Sequence, residues 1–440
     1  MALTGSKTYF GFGFGAIQAG LFLHEAFRSG AFGRLVVADV LPQVVASIRQ
    51  SRGRFAVNIA HADRIEQAEI GPVEIFDLNF PDDRRQLIDA LVTADEIATA
   101  VPGVSYYANE SPASLHRVLA QGLQQKAARH GPRAVVYAAE NHNHAAEILE
   151  ESVLNLLPQD EQQSVRPHVC FLNTVIGKMS GIVTDPAEIQ ARRLRPVTSA
   201  GDRAFLVESF NRILISQVRF DGPPSPAFER GLSVFEEKAD LLPFEEAKLY
   251  GHNATHALAA YVGAQLGVRM MADLTAIPGA MSFLRAAFIE ESGAALVGRY
   301  RGVDPLFTTS GFARYVDDLL QRMTNHWLGD SLERIGRHPE RKLGWHDRLI
   351  GTLRLVLSQG LEPRRYALGV AAALAAVEPS LAASPVAEQM SRARTILERI
   401  WSDTAPAGAE RDAVLQQVDR GLQRLAAWQA AGGPPLDTFI

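Results

Sequence analysis

The sequence of 440 residues contains a single cysteine, Cys170. One thiol excludes an intramolecular disulfide, and it excludes the zinc and iron–sulfur sites that need several cysteines. Charge of one sign is not concentrated either, because 44 Lys and Arg residues oppose 49 Asp and Glu residues without a long block of either sign. A general surface for nucleic acids or anionic membranes is therefore not expected.

Long hydrophobic runs are also missing. The longest run beyond the N-terminal region, Leu368 to Val377, is far shorter than the roughly 20 residues that cross a bilayer. Gly11 to Leu23 is apolar and follows Lys7, as in a signal peptide, but no small-residue cleavage site follows it. We expect a cytoplasmic protein with no membrane partner, long enough for two or three domains.

The first half of the sequence alternates short apolar runs with amphipathic stretches such as Ile17 to Arg28. This alternation is typical of parallel strands joined by crossover helices, and it predicts an α/β fold with a doubly wound Rossmann-type sheet. From about Phe228 the apolar residues recur at helical spacing. We therefore place a Rossmann-type domain at 1–200 and a mostly helical domain at 201–440. The expected strands are Thr8 to Phe12, Arg34 to Asp39, Val73 to Asp77, Glu96 to Val101, Ala134 to Ala139 and His168 to Asn173.

A glycine-rich turn, Gly13-Phe14-Gly15-Ala16-Ile17-Gln18, joins the first expected strand to the first helix. The first glycine permits a tight turn, the second lets a pyrophosphate approach the backbone, and the helix N-terminus supplies N–H donors. Gln18 replaces the third glycine of the usual fingerprint, so the motif is incomplete. Gly20 would allow the helix to pack closely on a strand.

Asp39 ends the second expected strand, 24 residues after Gly15. A carboxylate at this position can accept hydrogen bonds from both hydroxyls of an adenosine ribose and would repel a 2′-phosphate. The pattern favours NAD over NADP. The alternative is a turn that only connects strand to helix, with Asp39 a solvated strand end.

A long helix is expected from Glu245 to Ala264, and it carries Lys248, Asn253 and His256. At about 100° per residue, Asn253 lies about 140° and His256 about 80° from Lys248, so all three can face one pocket. A lysine base beside two hydrogen-bond donors suits chemistry at an alcohol or carbonyl oxygen. The alternative is a surface lysine, a capping asparagine and a core histidine.

The spacing Lys-x4-Asn-x2-His resembles that of the polyol-specific long-chain dehydrogenases, the mannitol dehydrogenase family. The resemblance extends over most of the chain, and it is strongest for the branch of the family that acts on hexitol phosphates. It is carried by Phe12 to Gly15 with Asp39-Val40, by Thr99-Ala100-Val101, by Glu140-Asn141, by Val207 to Phe210, by Lys248 to His256 and by Arg322 to Leu349.

The resemblance implies metal-independent hydride transfer between NAD or NADP and a sugar alcohol, its phosphate or a related sugar acid. It implies that Lys248 is the general base and that Asn253 and His256 hold the reacting oxygen. Further implied contacts are Asn141 beside that oxygen, Arg334, Lys342 and Asn173 on the substrate, and Gly13, Phe14, Gly15, Ala16, Ile17, Asp39, Ala100 and Val101 on the cofactor. Asn173 stands where relatives carry an aspartate, which bears on the choice of substrate.

Lysine can act as a base near neutral pH only if its pKa falls by roughly 2 to 3 units. We expect apolar burial and the cations Arg334 and Lys342 to lower it. Because Pro339 would end the helix that carries Arg334, Lys342 is expected in a loop. Arg337, Arg341 and Arg348 could meet a substrate phosphate, or they could form ion pairs with Glu333, Glu340 and Asp347.

The cluster Glu140-Asn141-His142-Asn143-His144 looks like a metal site, but no third histidine has suitable spacing, and we expect no metal. The sequence thus favours an NAD-dependent dehydrogenase of a phosphorylated hexitol, such as mannitol 1-phosphate with fructose 6-phosphate as its ketose. One alternative is a dehydrogenase of unphosphorylated polyols or a hexuronate reductase. Another is an NAD-sensing binding protein without turnover. The sequence leaves the oligomeric state open.

Overall fold

The computed structural model describes residues 3–199, 201–221, 228–402 and 404–440. The chain divides into two compact units, Met1–Leu242 and Pro243–Ile440. The domain boundary expected after residue 200 lies inside the first unit. Three strands that follow residue 200 belong to the same sheets as strands of the first 200 residues. Those strands are Ala204–Glu208, Ile213–Ser216 and Phe235–Lys238.

The described strands in chain order are β1 Lys7–Phe12, β2 Phe32–Asp39, β3 Phe55–Ala60, β4 Ile65–Ile70, β5 Glu74–Asp77, β6 Glu96–Thr99, β7 Ala134–Ala138, β8 Val169–Val175, β9 Ser180–Val183, β10 Ala204–Glu208, β11 Ile213–Ser216 and β12 Phe235–Lys238. Within the described residues, the main sheet of the first unit has eight strands in the order β12-β11-β8-β7-β6-β1-β2-β5. The six strands from β8 to β5 are parallel and have the Rossmann order, so the expected strands and fold class are confirmed.

A second sheet, β4-β3-β10-β9, is absent from the sequence-based expectation. It covers one face of the main sheet, where Phe14 of the glycine turn packs between Phe55 of β3 and Phe205 of β10, at ring-centroid distances of 5.0 and 5.7 Å. Alternate residues of β1 point to opposite faces, so Tyr9 joins this core and Phe10 joins the core on the other face.

Helices cover both faces of the main sheet. The first follows the glycine turn and begins with a π-helical segment, Gln18–Leu23, that continues as an α-helix over His24–Ser29. The other α-helices of this unit are Pro42–Gln50, Pro81–Thr93, Leu115–Ala128, Ala145–Leu154, Gln159–Val165 and Pro186–Ala191, with short 3₁₀ turns at Val104–Tyr106 and Arg166–His168.

The second unit is mostly helical, as expected, and the described residues of this unit form no strand longer than an isolated bridge between Met270 and Ser331. Its centre is the helix Ala254–Gln265, which is buried on nearly all sides and packs against Arg364–Val377. The remaining α-helices are Leu242–Glu246, Ala280–Ala286, Ala294–Arg299, Thr309–Met323, Leu332–Gly336, Pro339–Lys342, Ile350–Ser358, Val386–Trp401, Ala409–Ala430 and Leu436–Phe439. Two segments are π-helical, Ala247–Asn253 and Ala287–Gly293, and 3₁₀ turns occur at Met271–Ala276, Pro305–Phe307, His326–Leu328 and Pro379–Ala383.

Among the helices of the described residues, none is both long and apolar enough to cross a membrane.

Candidate active site

The glycine turn lies where the carboxyl ends of β1, β2 and β6 meet. Gly13 has φ of +84°, and a Cβ there would stand 2.7 Å from the carbonyl oxygen of Ala100, after β6. The Gly13 N–H donates to the carbonyl of Ala38 at 2.8 Å. Only glycine fits this tight connection, as the motif predicts.

Gly15 has a different environment, because a Cβ on it would have no heavy atom within 4 Å. The backbone is therefore open to a ligand at the second glycine. Gln18, in place of the third glycine, is buried and donates from Nε2 to the hydroxyl of Tyr9 at 2.7 Å. Gly20 does permit close packing, since a Cβ there would lie 2.5 Å from Cγ1 of Val207 on β10.

Asp39 is only 7% exposed and is fixed by two backbone donors. Its Oδ2 accepts from Phe14 N–H at 2.7 Å, and its Oδ1 accepts from Leu41 N–H at 2.8 Å. Burial raises the pKa of this carboxyl, whereas the backbone hydrogen bonds and the charge of Arg203 act to lower it. Each oxygen keeps a lone pair, so Asp39 can still accept hydrogen bonds from a ligand.

Glu140 lies just after β7 and holds the loop that follows the neighbouring strand β6, a role that the sequence did not suggest. Its carboxylate accepts from Thr99 Oγ1 at 2.8 Å, from Val101 N–H at 2.9 Å and from the hydroxyl of Tyr107. It is buried, and burial raises its pKa. Glu140 thus holds the Ala100-Val101 loop after β6, while Asn141, the next residue, is exposed.

Asn173, near the end of β8, is largely committed to structural hydrogen bonds. Its Oδ1 accepts from Ala146 N–H at 2.8 Å, and its Nδ2 donates to Glu147 Oε2 at 2.7 Å. Both partners lie in the first turn of the helix Ala145–Leu154. Only its second amide hydrogen and one oxygen lone pair remain for a substrate.

In the second unit, the helix expected over residues 245–264 is present from Leu242 to Gln265, but its centre is π-helical. Lys248 and Asn253 both lie in this π segment, Ala247–Asn253. Because a π-helix bonds residue i to residue i+5 and has more residues per turn than an α-helix, residues five apart stand at a smaller angle than the about 140° of an α-helix. The π geometry brings the amine and the amide to one face more closely than an α-helix would.

Two glycines shape this segment. A Cβ on Gly251 would lie 2.6 Å from Cε2 of Phe288, and one on Gly351 would lie 2.5 Å from Cε1 of Tyr250. Phe288 belongs to the other π segment, Ala287–Gly293, and is fully buried. The π segment that carries Lys248 therefore packs against its neighbours at distances that allow no side chain.

We expect Gly251→Ala to reduce the free energy of unfolding by about 1–3 kcal/mol, because the new methyl group would overpack the buried ring of Phe288. Chemical denaturation would measure the loss. Gly298→Ala is the matched control, since Gly298 is exposed in a helix and its nearest atom is the mobile end of Gln359. An equal loss in both variants would contradict the interpretation.

The amine of Lys248 has an altered acidity. Burial and the charge of Arg348 lower its pKa to about 8, against an opposing effect of Glu245. The expected depression is therefore present, but its principal cation is Arg348 and not Arg334 or Lys342. A substantial fraction of Lys248 is thus an uncharged amine at slightly alkaline pH.

The imidazole of His256 is neutral at physiological pH, because burial lowers its pKa to about 4, with Asp330 acting in the opposite direction. Its Nε2 is buried and has no hydrogen-bond partner among the described residues. The side chain of Asn253, half-buried, likewise makes no hydrogen bond to a residue that the structure describes. Unfilled polar groups of this kind suit a polar ligand.

Arg334 and Lys342 lie in the same region of the second unit, and both affect the pKa of His256. Arg334 is paired with the buried carboxylate of Asp330, and Lys342 donates to the carbonyl of Arg337. The loop expected for Lys342 is wrong: the helix of Arg334 ends at Gly336, and Pro339 starts another helix, Pro339–Lys342, because proline is well suited to the first helical position.

Of the ion pairs expected among the basic residues of this block, one is present with its expected partner. Arg348 forms an ion pair with Asp347 at 2.9 Å, as the alternative interpretation expects, yet it also lowers the pKa of both Lys248 and Lys342. Glu340 pairs with Arg399 instead, at 2.7 Å.

His142 and His144 belong to the loop after β7. The Nδ1 of His142 accepts from the His144 backbone N–H at 3.1 Å. Over the described ranges, no three His, Cys, Asp or Glu residues form a group that could hold a metal ion.

Comparisons with known proteins agree with this arrangement. The protein-family model of the mannitol dehydrogenase Rossmann domain matches residues 8–224, and the family model of the mannitol dehydrogenase C-terminal domain matches residues 240–418. Mannitol-1-phosphate 5-dehydrogenase of Bacillus licheniformis is 30% identical over 396 residues, which cover 89% of this chain and 91% of the relative.

Two solved structures share the fold. A ternary complex of Pseudomonas fluorescens mannitol 2-dehydrogenase with NAD and D-mannitol superimposes with a TM-score of 0.69 at 17% identity, covering 98% of this chain and 93% of that one. A substrate-free D-sorbitol dehydrogenase gives 0.74 at 14% identity, covering 98% and 94%. Together with the two family models and the curated relative, they confirm the resemblance, and the chain belongs to the mannitol dehydrogenase family of oxidoreductases.

Proposed function

We propose that this chain is an NAD-dependent dehydrogenase of a sugar alcohol, preferentially a hexitol phosphate of the mannitol 1-phosphate and fructose 6-phosphate type. The observation that carries the proposal is the lowered pKa of Lys248 on the same π-helical face as Asn253. The name of the curated relative, a mannitol-1-phosphate 5-dehydrogenase, supports the choice of substrate.

The chemistry assigned to the second unit is proton abstraction from a secondary alcohol. Neutral Lys248 takes the hydroxyl proton, and Asn253 and His256 donate hydrogen bonds to the oxygen as negative charge develops on it. His256 stays neutral in this role because of its lowered pKa. We assign Asn141 and Asn173 of the first unit contacts to the substrate, Asn173 through its remaining amide hydrogen. NAD, when bound, accepts the hydride.

The first unit has the features that a dinucleotide needs. The open backbone at Gly15 and the helix that follows Ala16 and Ile17 suit a pyrophosphate, and Asp39 suits the adenosine ribose. Val40 and Phe80 lie just after β2 and β5 and are 52% and 58% exposed. We propose that these apolar side chains border the adenine ring.

The substrate phosphate would be held by cations of the second unit. Arg334, Lys342 and Arg348 are candidates, since guanidinium groups bond phosphate oxygens in pairs. Burial, Arg348 and Arg341 lower the pKa of Lys342 to about 8, so an anion would stabilise its charged form. The cations thus favour a phosphorylated substrate over a neutral one.

A panel of hexitols, hexitol phosphates and hexuronates, assayed by NADH absorbance, tests the proposal. We expect turnover with a hexitol phosphate and NAD at a kcat/KM at least tenfold above that of the free hexitol. Preferential turnover of free polyols or hexuronates would favour the first alternative. NADH binding without turnover of any compound would favour a sensor.

The pH dependence should reveal the lysine. Oxidation needs the neutral amine, so kcat should rise with pH through an apparent pKa near 8, whereas reduction needs the ammonium and should fall over the same interval. Arg348→Gln removes a nearby cation and should move the transition to higher pH. Glu245→Gln removes an anion and should move it to lower pH. Shifts of the same sign in both variants would contradict the assignment.

A further inference from the structure

The second sheet brings a cation to the ribose end of the dinucleotide site. Arg203 immediately precedes β10, and its guanidinium carbon lies 5.7 Å from the ring centroid of Phe205. The ring of Phe205 in turn packs 5.7 Å from that of Phe14, whose N–H donates to Asp39. These contacts connect Arg203 to the glycine turn and to the carboxylate that follows β2.

Arg203 also interacts electrostatically with Asp39, since its charge is one of the influences that lower the pKa of that carboxyl. Nevertheless, Arg203 forms no ion pair with any residue that the structure describes, and its side chain is partly exposed. Most other arginines of the second sheet region are paired. Arg195, for example, contacts Glu69 at 2.5 Å and Arg192 contacts Glu188 at 2.7 Å.

An acid after the second Rossmann strand selects the ribose hydroxyls of NAD, whereas a nearby arginine accommodates the 2′-phosphate of NADP. This chain has an acid after β2 and an arginine whose charge acts on that acid. We propose that Arg203 forms a 2′-phosphate subsite, which the charge of Asp39 keeps weak in the native protein. The inference rests on the proposed dinucleotide site, and it implies a residual affinity for NADP that depends on Arg203.

The probes are 2′,5′-ADP and 5′-AMP, which differ only in the 2′-phosphate, with affinities measured by calorimetry at fixed salt on the full chain. Arg203→Gln should weaken 2′,5′-ADP binding at least fivefold and change 5′-AMP binding less than twofold. Asp39→Asn should tighten 2′,5′-ADP binding at least tenfold, and adding Arg203→Gln should remove most of that gain. Arg195→Gln is the matched control and should leave both affinities unchanged.

The inference is overturned if Arg203→Gln leaves 2′,5′-ADP binding as it is, or weakens both probes equally. Arg203→Gln alone decides the question even if Asp39→Asn fails to fold, because Arg203→Gln keeps the hydrogen bonds between Asp39 and the glycine turn. If the native chain binds 5′-AMP and NADH but binding of 2′,5′-ADP does not depend on Arg203, only the subsite is wrong. If it binds neither, the dinucleotide site of the proposed function is wrong as well.

Discussion

Lys248→Ala is expected to lower kcat for polyol oxidation by about 10²–10⁴-fold, the usual contribution of a positioned general base. Alanine leaves no group to accept the hydroxyl proton at the face where Asn253 lies. The loss should appear mainly in kcat, because the cations proposed to bind the substrate are other residues. Steady-state kinetics of NADH formation at several pH values would measure it.

Lys248→Arg separates the base from the charge. Arginine stays protonated in proteins and cannot accept a proton, so this variant should be as inactive as Lys248→Ala. Lys238→Ala is the control, because that lysine pairs with Glu236 in the first unit and should be replaceable within a few-fold. Activity of Lys248→Ala within a few-fold of the native chain would show that the base is another group.

Asn253→Ala and His256→Ala should each lower kcat by about 10²–10³-fold, the loss typical of one donor to a developing oxyanion. The imidazole Nε2 of His256 and the amide of Asn253 are both unfilled in the structure, so a substrate oxygen would gain their hydrogen bonds without displacing another partner. Rapid-mixing measurements of hydride transfer would isolate the chemical step.

Asn253→Asp sharpens this test. An aspartate carboxylate accepts hydrogen bonds, and its negative charge would face the negative charge that develops on the substrate oxygen. The loss of kcat in Asn253→Asp should therefore exceed the loss in Asn253→Ala. His346→Gln is the control for His256, since His346 is exposed and bonds to Arg354 at 3.1 Å. Because the pKa of His256 is about 4, the native profile should show no transition near pH 6.5. A transition there would mean that a histidine exchanges the proton.

Much of the fold could be predicted because parallel Rossmann strands are buried on both faces and appear as continuous apolar runs. The second sheet could not be recognised in this way. Its strand β4 is largely exposed or half-buried with only its last residue buried, and β10 follows β3 by more than a hundred residues while pairing with it. Pairing at such a distance leaves no local pattern, which also explains the misplaced domain boundary.

The candidate site, like the fold, could be predicted from the sequence only in part. The order of Gly13, Gly15 and Asp39 predicts their convergence, because the carboxyl ends of neighbouring parallel strands share one edge. The sequence marked Glu140 only in the pair Glu140-Asn141 that carries the family resemblance and in a histidine-rich cluster, and its buried hydrogen bonds to Val101 and Tyr107 have no sequence signature.

The chain order of strands, turns and helical faces determined the family, the expected nucleotide edge and the three polar residues of the central helix, since each depends on local spacing. Tertiary packing alone decided the rest. Phe288 packs on Gly251 of the π segment, and Tyr250 of the same segment packs on Gly351; this packing accompanies the alignment of Lys248 with Asn253. Arg348 lowers the pKa of the amine from a hundred residues away, because electrostatic interactions depend on distance in space and not along the chain.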